Sequence, residues 1–168
     1  MEETRDHYLA WLRDAHAMEE QAQTMMRGML SRLEHYPALS ARIERHIAET
    51  ERQASALSTL LETRSSGPSV VKDTMARIAA SSQAFTGMLA SDEVVKNAMY
   101  SYTFEHMEIG AYKVLISAAT ALNDAPAVAV FEEILAEEQD MADWLYDHLD
   151  ETTRIFLSRD EADLTAKR

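Results

Sequence analysis

The stretch SSGPSVVKDTMARIAASSQAFTGMLAS, Ser65 to Ser91, decides the fold. It opens on Ser65-Ser66-Gly67-Pro68, the clearest break in a chain that holds four Gly and three Pro. It closes on Ser91-Asp92, an N-cap signal for whatever helix follows. Between the two, Val71, Met75, Ile78, Phe85 and Leu89 recur at helical spacing, which predicts a short helix over about Val70 to Leu89. A long helix of about 25 residues measures about 37 Å, and about 20 residues of helix cover about 30 Å of that. The segment is therefore long enough to carry the chain back along its own length before the next helix begins.

Two helical hairpins flank this crossover. Upstream, Tyr8, Leu12, Ala15, Ala22, Met26, Met29 and Leu33 form one stripe, which predicts a helix from about Thr4 to His35. Pro37 opens the next helix at its first turn. That helix runs to about Arg64 on a stripe of Leu39, Ile43, Thr50, Leu57 and Leu60. Downstream, Val95, Ala98, Tyr102, Ile109, Tyr112, Ile116 and Ala119 predict a helix over about Asp92 to Leu122. Asn123-Asp124-Ala125-Pro126 makes the turn, and Val128, Phe131, Leu135, Ala142, Leu145 and Leu149 carry a last helix to about Leu157. Short connections make antiparallel neighbours. The pattern is all-α: a ferritin-like four-helix bundle of two antiparallel hairpins with an additional short helix in the crossover. It reads as one domain over residues 1–157, with the crossover at 65–91 and a polar tail at 158–168.

Composition supports a folded helical domain and narrows its partners. Hydrophobic residues make up 46% of the chain, enough for a core. With 16 basic against 29 acidic residues the net charge is −13, which repels a phosphate backbone and an anionic membrane surface and attracts cations. The absence of cysteine rules out disulfides, thiolate metal sites and cysteine nucleophiles. No apolar run approaches a membrane span, and Met1-Glu2-Glu3-Thr4-Arg5-Asp6 is unlike a signal peptide. The expectation is a cytoplasmic protein with no nucleic-acid or membrane partner.

The chemistry shows where polar residues interrupt the stripes. The first helix steps Leu12, Ala15, Glu19, Ala22. The second steps Ile43, His46, then Glu49 or Thr50, then Gln53 and Leu57. The helix after the crossover has Glu105 and Glu108, three apart and so on one face, and the last helix has Glu138 between Leu135 and Ala142. Each long helix thus points a carboxylate toward the core near its middle. A single such Glu is ordinarily a boundary residue. Four helices doing so at one height need compensation, because unpaired buried carboxylates repel one another. Two divalent ions held by Glu19, His46, Glu49, Glu105, Glu108 and Glu138 supply it; carboxylate plus imidazole suits iron, with manganese or zinc as alternatives. No catalytic residue beyond these ligands and no organic cofactor is indicated. Tyr102 and Tyr112 read as core residues, His16 and His106 as neighbours of the site, and His7, His35 and His148 as surface or helix-end residues. The ten Met fill irregular core space.

Four segments resemble the bacterial YciE/YciF family of ferritin-like proteins: Asp14-Ala-His-Ala-Met-Glu-Glu-Gln21, His46-Ile-Ala-Glu-Thr-Glu-Arg-Gln53, Phe104-Glu-His-Met-Glu-Ile-Gly-Ala-Tyr112 and Leu135-Ala-Glu-Glu-Gln139. The resemblance implies a dinuclear iron centre, a homodimer and a link to stress responses, with the same six residues in the ligand positions. Two departures stand out. The second helix reads His-x-x-Glu where such sites usually read Glu-x-x-His, and the last helix has Glu138-x-x-Met141 with no histidine. The expected function is oxidation of ferrous ions by O₂ or peroxide, a ferroxidase or peroxidase type of activity. The alternative is a non-catalytic stress or interaction bundle with a degenerate metal site.

Overall fold

In the computed structural model, which describes residues 2–64 and 92–162, every helix buries one line of residues spaced alternately by four and three. On α1 (Glu2–Leu30) the line is Tyr8, Leu12, Ala15, Glu19, Ala22, Met26 and Met29. On α2 (Pro37–Arg64) it is Leu39, Ile43, His46, Thr50, Gln53, Leu57 and Leu60. On α3 (Glu93–Ala121) it is Val94, Ala98, Ser101, Glu105, Glu108, Tyr112, Leu115 and Ala119. On α4 (Ala125–Glu161) it is Ala127, Phe131, Ile134, Glu138, Met141 and Leu145. Alternate steps of four and three average 3.5 residues per turn, the repeat that keeps one seam facing its neighbours in a bundle.

Ion pairs at the two ends establish the topology. Arg64, the last residue of α2, forms a two-pronged pair with Asp124 in the α3–α4 turn, and the Arg5 guanidinium donates to the Arg64 carbonyl at 3.0 Å. The start of α1, the end of α2 and the α3–α4 turn therefore share one end. Arg32, just past α1, pairs with Glu93 at the start of α3. Hence α3 begins at the opposite end from where α2 stops, the two ends being separated by the length of a 29-residue helix, about 43 Å. Around the bundle α1 packs on α2 and α3, and α4 packs on α3 and α2, so every neighbouring pair is antiparallel. This is the ferritin-like arrangement. The short helix expected over Val70 to Leu89, like residues 163–168, lies outside the described residues.

Three local expectations are corrected. Helix α1 stops at Leu30 rather than His35: Arg32 and Leu33 bond to carbonyls three residues back, and Tyr36 precedes Pro37, which disfavours helical backbone before it. Leu33 and Tyr36 remain in the core nonetheless. Helix α4 continues through Ser158 to Glu161, past Leu157, because Thr152 and Phe156 extend its buried face. On α3 the buried line keeps Ala98, Tyr112 and Ala119 of the expected stripe but otherwise takes the preceding residue: Val95, Tyr102, Ile109 and Ile116 are half-buried, while Val94, Ser101, Glu108 and Leu115 are buried. That helix carries apolar residues on several sides, with Met99, Met107 and Val114 exposed, so apolar spacing alone does not select its inner face.

The α3–α4 turn is built by its own residues. Asn123 adopts φ 57°, a left-handed conformation that Asn tolerates. The Asp124 carboxylate accepts from the Ala127 N–H at 3.3 Å, capping α4, and Arg64 beside it lowers its pKa. Asp124→Ala removes both a cap and a partly buried ion pair, each worth about 1 kcal/mol. Thermal melting of that variant is expected to drop by about 4–8 °C, whereas Arg64→Ala, which spares the cap, is expected to lose about half as much.

Candidate metal centre

The apolar core falls into two halves. One, toward the Asp124 end, is formed by Leu12, Ala15, Leu57, Leu115, Phe131 and Ile134 among others. The other, toward the Arg32 end, includes Ala22, Met26, Ile43, Phe104, Met141 and Leu145. Between them lies a polar layer. Glu19, His46, Glu105, Glu108 and Glu138 are all at most 4% exposed, and each occupies the buried line of its helix.

His46 is at the centre of one side of this layer. Its Nε2 lies 3.2 Å from Glu105 Oε2 and 3.2 Å from Glu138 Oε2. One ligand atom from each of these three residues, a ring nitrogen of His46 and a carboxylate oxygen of Glu105 and of Glu138, lies within 4.8 Å of the other two, a spacing compatible with a shared ion. Neither oxygen has a polar partner other than His46, and Glu19 Oε2 and both oxygens of Glu108 have no hydrogen-bond partner. Tyr112, fully buried, donates its hydroxyl to Glu19 Oε1 and satisfies that atom. Gln53 donates from Nε2 to Glu138 Oε1 at 2.6 Å and to Glu137 Oε2 at 2.8 Å, leaving its own buried Oε1 without a partner.

The titration of the group follows from burial and crowding. Loss of water drives Glu108 and Glu19 well above the carboxylate range, and neighbouring carboxylates, Glu19 for one and Glu138 for the other, add to it. Burial also raises Glu105, to about 7, against the opposing pull of His46. For His46 burial works against the charged form, but Glu105, Glu138 and Glu49 outweigh it and push the imidazole to about 12. Without a metal Glu19, Glu108 and His46 thus keep their protons near neutral pH. Acceptor oxygens lacking donors, carboxylates crowded together and one imidazole make a donor set that fits divalent iron, manganese or zinc.

Of the six residues singled out from the sequence, five converge. Glu49 stands apart. It is one position off the buried line, which passes through Thr50, and its carboxylate meets the other side of the His46 ring, Oε2 to Nδ1 at 2.8 Å. Thr50 closes on its own helix by donating to the His46 carbonyl at 2.9 Å. His106 is exposed, donates to the Tyr102 carbonyl at 3.0 Å and packs on the Tyr102 ring, away from the layer. His7 stacks on Trp11 and His148 on Trp144. Gln53 lies on the α2 stripe in the sequence, and its seven-residue step from His46 is the signal there for a place beside the layer. For Arg42, buried and paired with Glu49 and with Asp140 of α4, the sequence offers none, because Asp140 comes from another hairpin.

Comparison with known proteins agrees with this architecture. The family model described as a domain of unknown function, DUF892, matches residues 3–158. A crystal structure of a protein from Xanthomonas campestris is 36% identical, covers 94% of this chain and 99% of its own, and superposes with a TM-score of 0.76. The crystal structure of the E. coli stress protein YciF is 21% identical, covers 89% of this chain and 96% of its own, with a TM-score of 0.69. Among the described residues no helix is long and apolar enough to cross a membrane. With a family model spanning nearly the whole chain and a relative above a third identical, the chain belongs to the DUF892 family, that of the YciE/YciF ferritin-like bundles.

Proposed function

We propose that the protein holds a dinuclear metal centre, iron first among the candidates, in the polar layer between its two apolar half-cores, and that this centre consumes O₂ or peroxide. The observation that carries the reading is a set of five buried carboxyl oxygens, three on Glu19 and Glu108 with no hydrogen-bond partner and two on Glu105 and Glu138 that face only His46. Burying such groups unpaired is costly, and cations relieve the cost for all of them at once. Glu19, His46, Glu105, Glu108 and Glu138 would hold the ions. When bound, ferrous iron would supply electrons to O₂ or peroxide.

The chain's own residues have defined parts. Ala15 and Ile134 on one side, and Ala22, Ile43 and Met141 on the other, flank the layer along the buried lines with apolar side chains that would keep water out. Tyr112 fixes one oxygen of Glu19, and Gln53 fixes one of Glu138, so each of those carboxylates has its second oxygen left for a ligand role. A stress-related role is consistent with the likeness to YciF. Anaerobic titration of the purified protein with Fe(II), followed by O₂ or peroxide, is the test. Uptake near two ions per chain with oxidation on adding the oxidant is expected; no uptake would remove the reading.

One observation favours a second reading, a bundle that binds metal without turning over. Met141, fully buried on α4 three residues after Glu138, occupies the place where such sites usually carry a histidine. Two ions bound but no oxidation would decide for it.

A further inference from the structure

The unusual His-x-x-Glu order on α2 has a structural consequence. We propose that Glu49 is a positioning residue that clamps His46, rather than a metal ligand; this rests on the metal-centre reading. Glu49 Oε2 receives both His46 Nδ1 at 2.8 Å and Arg42 Nη1 at 3.2 Å. Its other oxygen, Oε1, faces Arg45 Nε at 3.4 Å. Both oxygens are thus engaged by groups of α2 itself, on the side of the imidazole opposite Glu105 and Glu138.

Arg42 is what prevents Glu49 from turning inward. Its side chain is 3% exposed, bridges Glu49 to Asp140 of α4 at 2.9 Å, and already has an unpartnered Nε. Rotating Glu49 toward the layer would strip one of the two counter-charges from a buried guanidinium, which is costly. Asp140 is held in turn by Arg45 at 2.7 Å, so the clamp is anchored to a second helix. An imidazole whose Nδ1–H is donated to a carboxylate presents its Nε2 lone pair in one direction. Here that direction is the gap shared with Glu105 and Glu138. The reversed order therefore places the Glu behind the histidine instead of beside it.

Two readouts on the full chain separate this clamp from the metal reading. The first is metal-free: long-range proton–nitrogen NMR of His46 should show an Nδ1–H held in a hydrogen bond in the wild type and lost in Glu49→Ala. The second is titration with Co²⁺. Glu49→Ala is expected to bind about 10- to 100-fold more weakly, with the same number of ions and an unchanged visible spectrum at saturation. Glu49→Gln, which keeps an acceptor, is expected to lose less and serves if the alanine variant does not fold. Loss of an ion, or a changed spectrum at saturation, would make Glu49 a ligand and overturn the proposal, as would a wild-type His46 with no bonded Nδ1–H. A bonded Nδ1–H in a wild type that takes up no metal would keep the clamp and sink the metal centre instead.

Discussion

Freed of metal, the protein is expected to melt at a lower temperature at about pH 8 than at about pH 5.5. The sign follows from the direction of the shifts. Glu19, Glu105 and Glu108 have folded-state pKa values raised above those of the unfolded chain. Each therefore contributes stability that is complete below the unfolded value and is lost as pH rises through the folded one. For Glu105 the window runs from the ordinary 4.5 to about 7, a loss of roughly 3 kcal/mol. His46 acts in the same sense from 6.5 toward about 12. Glu49, lowered by His46 and Arg42 against its burial, works the other way, but its stability is already complete above the ordinary carboxylate range. Exposed carboxylates are ionised by about pH 5.5, so the comparison reports the buried ones.

Saturating divalent metal is expected to abolish this fall and to raise the melting temperature. At one hundred times the dissociation constant each ion adds about 2.7 kcal/mol, or about 5 kcal/mol for two. For a chain of this size that corresponds to about 10–20 °C. Metal needs deprotonated ligands, so the gain grows with pH, opposite to the trend of the metal-free protein. Calorimetry in chelator and in excess Mn²⁺ or Zn²⁺ at both pH values measures it. A metal-free melting temperature that is flat or rises over this range would contradict the buried-carboxylate account.

Replacing Glu108 by leucine should change stability in opposite directions with and without metal. Glu108 is 1% exposed and neither of its oxygens has a donor. Without metal, near neutral pH, Glu108→Leu removes an unpaired buried polar group at similar volume and should stabilise the fold by about 1–3 kcal/mol. With metal the same change deletes ligand atoms and should forfeit at least one ion, about 2.7 kcal/mol or more of the metal-dependent gain. The two melting curves should therefore exchange order on adding metal. Glu108→Gln, which keeps the shape and removes the charge, should lose the metal gain with a smaller benefit in chelator. A leucine variant that is destabilised in chelator would mean that Glu108 supports the fold through a bond of its own, and the ion would not be needed to explain it.

On α2 the stripe left Glu49 and Thr50 as equal candidates for the inner face; the strict alternation of steps, Leu39, Ile43, His46, Thr50, Gln53, Leu57, resolves it for Thr50. The neighbouring helices impose that alternation, and they are not visible in a local pattern. On α3 apolar side chains on several sides hid the inner line, yet Glu105 and Glu108 were recognised because a charged residue among apolar ones stands out wherever the helix is rotated.

The sequence by itself determined the helices, their pairing and the acidic layer. Those depend on local signals: 3.5-residue periodicity, Pro37 and Pro126 at helix starts, a crossover long enough to span the bundle, and one or two carboxylates in the middle of three stripes with His46 on the fourth. Only the tertiary structure decided what each polar atom meets. It brought Asp140 of α4 to Arg42, turned Glu49 behind His46, gave Tyr112 to Glu19 and Gln53 to Glu138, and left three carboxyl oxygens with no partner and two facing only His46. The physical reason is that hydrogen bonding and ion pairing act over about 3 Å between side chains from different helices, a precision that periodicity along one chain does not carry.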